Sequence, residues 1–241
     1  MSLDKLDHRL DKLDHRLDKL DHRLDRDHRT VVVVTAGLSL PSSTRLLADL
    51  LRDAVERAVE ARGAEVEVEI IELRPLAHAL ADRLLTGFPT GDLATAIDRV
   101  HRADGLVVVT PVFAASYSGL FKTFFDVLDQ DALDGKPVLV AATAGTARHS
   151  LVLDHALRPL FSYLHAVVVP TGVFAATDDF GGADGAAGAL RKRVERAAEE
   201  LAALVAGSAV STTAPQPPTA TPQAVTPFEQ LLREAGGDSV R

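Results

Sequence analysis

The chain has 241 residues, 46% of them hydrophobic and 25% charged, which predicts a globular, cytoplasmic protein with one sizeable domain and shorter extensions. Its net charge of −8 argues against a nucleic-acid partner, because a phosphate backbone requires a basic surface. The absence of cysteine excludes disulfides, thiolate metal sites and a cysteine nucleophile, and no apolar run is long enough to predict a membrane span or a signal peptide.

Residues 1–29 are dominated by a heptad repeat. The sequence L-D-K-L-D-H-R recurs from Leu3 onward, and its leucines alternate spacings of three and four, which is typical of a coiled-coil seam. Aspartate at e and arginine at g are complementary between parallel helices, so the pattern favours an oligomerising coil. A disordered segment is the alternative, because three Asp-rich heptads are near the lower limit of independent helix stability. The histidines lack the close spacing of a metal site, and no metal site is predicted.

The main domain is predicted at residues 30–206 and begins with a buried strand, T-V-V-V-V-T, at 30–35, followed by a loop and a helix at 45–62. The loop contains four hydroxyl residues, Ser39, Ser42, Ser43 and Thr44. Backbone N–H groups, hydroxyls and the positive end of the helix dipole together predict a cradle for a monophosphate, whereas an N-cap alone needs one hydroxyl. The loop is neither a Walker loop nor a G-x-G-x-x-G dinucleotide motif.

The same loop permits a second interpretation. Residues 37–41 read G-L-S-L-P, which is superficially similar to the nucleophile elbow of a serine hydrolase, with Ser39 as the nucleophile. A proline stands where the elbow needs its closing glycine, and the motif follows the first strand rather than a later one. The hydrolase is therefore the weaker alternative.

The following elements lead to a second candidate loop. Hydrophobic periodicity predicts a strand at 64–73, a polar connection at 74–91, a helix at 92–102 and a buried strand at 106–109. The next stretch, from Thr110, reads T-P-V-F-A-A-S-Y-S-G-L-F-K-T.

Within this stretch, Pro111 is expected to end the strand because it has no N–H. The small residues Ala114, Ser116 and Gly119 leave space for a flat ligand against the backbone. An ordinary strand-to-helix turn is the alternative.

The second half of the domain repeats the alternation of strands and helices. We predict a strand within 135–143, a loop of small residues at 144–148 that leads into a helix near His149, a strand at 166–170 and a helix at 184–205. Alternating strands and helices predict a parallel sheet covered on both faces. The expected fold is α/β and flavodoxin-like, with five parallel strands and binding sites where the strand order reverses.

Three segments carry a family resemblance. They are the stretch from Thr110, G-K-P-V-L-V-A-A-T-A-G-T-A-R-H from Gly135, and D-H-A-L-R-P-L from Asp154. Together they resemble NAD(P)H-dependent FMN reductases, in particular the alkanesulfonate type and relatives that serve luciferase-like monooxygenases, and the resemblance covers residues 31–206. It implies bound FMN, hydride supplied by NADPH or NADH, and reduced flavin passed to a flavin-dependent monooxygenase. Because flavin N5 accepts the hydride, no catalytic side chain is expected.

The resemblance also implies which residues contact FMN. The phosphate is assigned to Ser39, Ser42, Ser43, Thr44 and Arg45. The ring is assigned to Pro111, Val112, Phe113, Ala114, Ser116, Tyr117, Gly119, Thr143, Ala144, Gly145, Thr146 and Arg148. This chain lacks the arginine usual in the family's phosphate loop, for which Arg45 substitutes, and it has Phe113 where tyrosine is common and Ala144 where a second glycine is usual.

Several alternatives stay open. A chain without tryptophan and with two tyrosines is not expected to enclose both flavin faces, so a quinone or azo dye is a possible acceptor in place of free flavin, and a non-catalytic flavin-binding module is a further alternative. Tyr117 is assigned to the flavin, to a subunit interface or to packing at a helix start. Arg148 and Arg158 are assigned to dinucleotide phosphates or to surface ion pairs. A homo-oligomer, either dimer or tetramer, is expected.

The C-terminal part has a different composition. Residues 207–225 are rich in proline and threonine, which predicts an extended linker. Residues 226–241 begin with a capping box of Thr226 and Glu229 around Pro227, which predicts a short tethered amphipathic helix.

Overall fold

A computed structural model describes residues 28–181 and 186–207 of the chain. The predicted coiled coil, linker and C-terminal helix lie outside these residues, except for their boundary positions.

The domain is built on one sheet. Within the described residues its strands are His28–Thr35 (β1), Glu65–Glu72 (β2), Gly105–Phe113 (β3), Ser116–Tyr117 (β4), Pro137–Ala144 (β5), Val167–Val168 (β6) and Val173–Ala176 (β7). The parallel order is β2-β1-β3-β5, with β6 and β7 sharing the position beyond β5 and β4 pairing antiparallel with the end of β3. This is the flavodoxin-like order with five strand positions, so the predicted fold class is confirmed.

Helices cover both faces of the sheet. They are Ser43–Glu60 (α1), Ala77–Thr86 (α2), Gly91–Arg102 (α3), Gly119–Asp126 (α4), Arg158–Tyr163 (α5), Thr177–Gly181 (α6) and Ala186–Gly207 (α7). A 3₁₀ turn, Ala147–His149, and a π-helix, Leu153–Leu157, precede α5. No helix of the described ranges is long and apolar enough to cross a membrane.

Alternate residues of β1 face two separate cores. Val31 and Val33 pack with α1 and α7, whereas Val32 and Val34 pack with the helices of the opposite face. All four are completely buried, and each buried valine contributes roughly 1.5–3 kcal/mol relative to an exposed one. Because both faces are covered, the polar groups that remain available for a ligand lie at the ends of the strands.

The expectation that Pro111 ends its strand was wrong. β3 continues to Phe113, and Pro111 pairs with Thr143 of β5. The carbonyl oxygen of Val109 accepts a hydrogen bond from the Ala36 N–H, so the backbone groups of Val109 point toward β1. Because alternate residues of a strand point to the same side, the backbone nitrogen of Pro111 also points toward β1. β1 has already ended there, at Thr35. The missing N–H of proline therefore removes no hydrogen bond of the sheet.

Two other predictions needed correction. The connection predicted at 74–91 contains α2, which ends at Gly87 in the left-handed conformation (φ 86°) but buries only Leu80 completely. Its other leucines, Leu84 and Leu85, are exposed, so its apolar residues do not form the single buried face from which periodicity predicts a helix. The strand predicted at 166–170 is reduced to β6, and β7, which follows it at 173–176, was not predicted.

Side chains form hydrogen bonds with the backbone between β6 and β7. The guanidinium of Arg158 donates to the carbonyls of Val169 (3.0 Å) and Pro170, and Glu200 accepts from the backbone N–H of Thr171 (2.6 Å). These backbone groups therefore bind side chains of the neighbouring helices rather than β5.

Candidate functional site

The three predicted loops meet at one edge of the sheet. Each follows the carboxyl end of a central strand: Gly37–Ser42 follows β1, Ala114–Ser118 follows β3, and Gly145–Arg148 follows β5. The registers of Thr35 with Val109 and of Pro111 with Thr143 make these ends neighbours. The structure thus brings together the segments that the sequence assigned to one site.

The first loop is closed by Ser42. Its hydroxyl caps α1 by accepting the Arg45 N–H at 3.2 Å, and it also lies against Gly37, where an added Cβ would come within 2.2 Å of that oxygen. A side chain at position 37 would therefore displace the Ser42 hydroxyl.

The other hydroxyls of the loop divide into two groups. Thr44 is buried, with its hydroxyl 2.8 Å from that of Thr143. Ser39 and Ser43 are exposed and have no hydrogen-bond partner within the described residues, so they remain available to a ligand. For Ser39 this also means that no described histidine or carboxylate activates it, as a hydrolase would require.

A cavity of about 290 Å³ adjoins this loop. It is lined by Ser39, Ser42, Arg45, Glu72 and Arg74, among others, and by Thr35, whose buried hydroxyl has no hydrogen-bond partner within the described ranges. A buried hydroxyl without a hydrogen-bond partner lowers the stability of the fold by about 1–3 kcal/mol. A polar ligand in the cavity would provide that partner. Two guanidinium groups and free hydroxyls fit a phosphate monoester.

The two arginines of this cavity differ in their partners. Arg45 is held by Asp49, at 3.1 Å from its Nε, and by Glu72 at its Nη1. Its charge is therefore already shared with two carboxylates. Arg74 has no ion pair within the described residues. It follows β2, and sequence reasoning missed it because the loop that predicts the phosphate follows a different strand.

The second loop is a tight reversal. Ala114 and Ala115 both have positive φ (49° and 62°), and β4 folds back so that Ser116 pairs with Phe113. Two non-glycine residues in the left-handed region are costly, and such backbone is found preferentially at functional sites. Phe113 is exposed, whereas Pro111 and Val112 are half-buried.

Threonine and serine hydroxyls fix the ends of this reversal. The hydroxyl of Thr110 accepts the Ser118 N–H at 3.0 Å and donates to the Pro111 carbonyl at 2.9 Å. Ser118 in turn caps α4 by accepting the Phe121 N–H at 3.2 Å. Tyr117 packs on the Phe121 ring, with centroids 5.8 Å apart, as expected for packing at the helix start.

The third loop is open. Ala144 is half-buried, while Gly145, Thr146 and Arg148 are exposed, and Arg148 has no ion pair within the described residues. Arg158 lies elsewhere, bound to Asp154 and to the two carbonyls between β6 and β7. Of the two arginines considered for a dinucleotide phosphate, Arg148 alone is free to contact one.

The comparisons with known proteins agree with this geometry. Residues 29–181 match a family model described as NADPH-dependent FMN reductase. The chain is 39% identical to an FMN reductase (NADPH) of Pseudomonas aeruginosa, over 73% of this chain and 92% of that protein. It is 40% identical to the NADH-dependent FMN reductase SfnE of Pseudomonas putida, over 72% of this chain and 91% of that protein.

A solved structure is also similar. An oxidoreductase from Corynebacterium diphtheriae is 56% identical and superposes with a TM-score of 0.72, over 75% of this chain and 98% of that one. Residues 29–181, which the family model matches, include all three loops of the carboxyl edge.

Proposed function

The chain belongs to the NADPH-dependent FMN reductase family and is an NAD(P)H-dependent FMN reductase, and we propose that FMN lies across the three loops at the carboxyl edge. When bound, FMN supplies the group that accepts hydride from the nicotinamide. The side chains of this chain therefore need only to bind and orient the two nucleotides.

The proposed phosphate site is the first loop with its cavity. Ser39 and Ser43 offer free hydroxyls, and α1 directs its N-terminal N–H groups and its positive dipole end toward the same place. Arg45 and Arg74 supply positive charge. Ser42 and Thr44 belong to the site by shaping the loop, because their hydroxyls bind within the protein.

The proposed ring site is formed by the second and third loops. It comprises Pro111, Val112, Phe113, Ala114, Ser116, Tyr117, Gly119, Thr143, Ala144, Gly145, Thr146 and Arg148. Small side chains allow a flat ring to lie against the backbone, and no Cβ added at Gly119 or Gly145 meets an atom of the described residues within 4 Å. One face of the ring is left open for the nicotinamide, and the exposed Arg148 contacts the phosphates of the dinucleotide.

We further propose that FMN is exchanged between turnovers and that the reduced flavin passes to a luciferase-like, flavin-dependent monooxygenase. The open third loop supports exchange, and the resemblance to monooxygenase-serving reductases supports the recipient. We also propose that the protein is cytoplasmic and forms a homo-oligomer. The exposed side chains of Leu40, Phe113 and Leu151 support assembly, because they are available to pack against a second copy of the chain.

The observation that carries the flavin site is the unpartnered hydroxyl of Thr35 in a cavity between a phosphate-type loop and two arginines. The test is oxidation of NADPH and NADH by the pure protein with FMN, riboflavin, FAD or no flavin. We expect oxidation that depends on FMN and saturates with it. Flavin-independent oxidation that responds only to an added quinone or azo dye would favour the alternative acceptor. No oxidation with any flavin would refute the reductase.

A further inference from the structure

A buried hydrogen bond connects the first and third loops. The hydroxyl oxygens of Thr44 and Thr143 are 2.8 Å apart, and each residue is 2% exposed, although they are separated by 99 positions in the sequence. Either hydroxyl can donate. Within the described residues it is the only hydrogen bond between residues 37–45 and residues 143–149.

Both threonines are held firmly by their own elements. Thr44 lies in the first turn of α1, two positions after its cap, and α1 packs against β3 and β5. Thr143 lies at the end of β5, paired with Pro111 on one side and Ala175 on the other. A bond between two rigid elements fixes the distance between the loops that they carry.

We propose that Thr44 and Thr143 are positioning residues, whose hydrogen bond sets the separation between the phosphate loop and the ring loop and thereby the affinity for FMN. This inference depends on the proposed flavin site. FMN is a bifunctional ligand, because its phosphate and its ring must be bound at the same time. A protein that holds the two loops at the matching separation avoids the cost of ordering them when the ligand binds.

A structural role for the pair makes a different prediction. Removing one hydroxyl leaves the other buried without a hydrogen-bond partner, which destabilises the fold. Replacing both threonines by valine, which has the same shape, leaves no buried hydroxyl without a partner. Stability therefore depends on whether the remaining hydroxyl is satisfied. Positioning depends on whether the bond exists, so the single and double replacements separate the two roles.

The test uses Thr44→Val, Thr143→Val and the double variant. Dissociation constants for FMN and riboflavin come from titration of flavin fluorescence, and the melting temperature is recorded without flavin. We expect the single variants to melt roughly 2–8 °C lower and the double variant to melt close to the wild type. All three should bind FMN about 3- to 10-fold more weakly, which is the value of one hydrogen bond.

Riboflavin is the matched ligand, because it lacks the phosphate and does not depend on the separation of the loops. Its affinity should change less than about twofold. Thr143→Ser, which keeps the hydroxyl, should recover most of the FMN affinity, and Thr95→Val, an exposed threonine on α3, controls for the substitution itself.

Two outcomes overturn the inference. If the double variant binds FMN as tightly as the wild type, the bond is only structural. If FMN and riboflavin lose the same factor, the bond does not couple the two loops. A wild-type protein that binds no FMN and oxidises no nicotinamide refutes the proposed function instead, so the two failures are distinguishable.

Discussion

Gly37 and Ser42 touch across the first loop so closely that a methyl group added to the glycine would lie 2.2 Å from the serine hydroxyl oxygen. That hydroxyl caps α1, the helix that directs its N-terminus at the proposed phosphate. The shape of the loop and the start of the helix therefore depend on the same contact.

We expect Gly37→Ala to displace the Ser42 hydroxyl and remove the cap. Loss of an N-cap costs about 0.5–2 kcal/mol, which lowers the melting temperature by several degrees, and FMN affinity should fall more than tenfold because the phosphate N–H groups move. Gly145→Ala is the stability control, since its Cβ meets no described atom within 4 Å. Equal melting temperatures for the two variants would contradict the contact.

Ser42→Asp tests the phosphate site separately from the loop's stability. Aspartate is as good an N-cap as serine, so we expect little change in melting temperature, while the added negative charge repels the phosphate. The FMN dissociation constant should rise at least tenfold and that of riboflavin by less than about threefold. Similar losses for the two flavins would place the phosphate elsewhere.

Arg74→Gln tests the cation that the sequence did not indicate. Because Arg45 is held by two carboxylates and Arg74 has no ion pair within the described residues, we expect Arg74 to contribute the larger share of the phosphate attraction. FMN binding should weaken about three- to tenfold, as for a partly exposed charge pair, and riboflavin binding should not change. Arg102→Gln, on α3, is the control. Unchanged FMN affinity in Arg74→Gln would refute the assignment.

The fold was largely predictable because its signals are local. Four consecutive valines at 31–34 favour a strand buried on both faces, because they are β-branched and apolar at every position. The loops of small and hydroxyl residues directly follow three such strands. The parallel order then places those loops at one edge without any knowledge of side-chain positions.

The parts that could not be predicted depend on contacts distant in sequence. That Pro111 continues its strand depends on where β1 ends, and that Arg45 is already ion-paired depends in part on Glu72 of β2. The pairing of Thr44 with Thr143 requires the packing of α1 across the sheet. Periodicity and motif spacing contain none of this information.

Arg158→Lys distinguishes a structural role from a role in dinucleotide binding. The guanidinium binds two carbonyls and Asp154 at once, and an ammonium group cannot reproduce that planar geometry. We expect the free energy of unfolding to fall by about 0.5–1.5 kcal/mol, because the part-buried carbonyl of Val169 loses its hydrogen bond, with KM for NADPH unchanged. Arg148→Gln is the comparison and should raise that KM. A KM increase in Arg158→Lys without loss of stability would reverse the two assignments.

At the opposite end of the sheet, the ammonium of Lys136 donates to the carbonyls of Val100 (2.6 Å) and His101 (2.8 Å), which lie at the end of α3. Burial lowers the pKa of Lys136 to about 8, against a weaker opposing effect of Asp104. The unfolded chain has a lysine pKa of about 10.4, so between about pH 8 and pH 10.4 the unfolded state binds more protons than the folded state. Stability contributed by this group therefore rises with pH across that window and is constant below it.

Lys136→Met removes the titration but keeps most of the apolar stem. The quantity to compare is the melting temperature of the wild type minus that of Lys136→Met. We expect this difference to be constant from pH 6 to about pH 7.5 and to increase between about pH 8 and pH 10, because only the wild type loses a buried charge when Lys136 deprotonates. Since the side chain is partly exposed, the increase should be smaller than complete burial would give. Lys122→Met, whose ammonium pairs with Asp126 on the surface, serves as the control for replacing a lysine by methionine. A difference that stays flat or decreases above pH 8 would mean that the Lys136 ammonium is stabilised by the two carbonyls rather than destabilised by its burial.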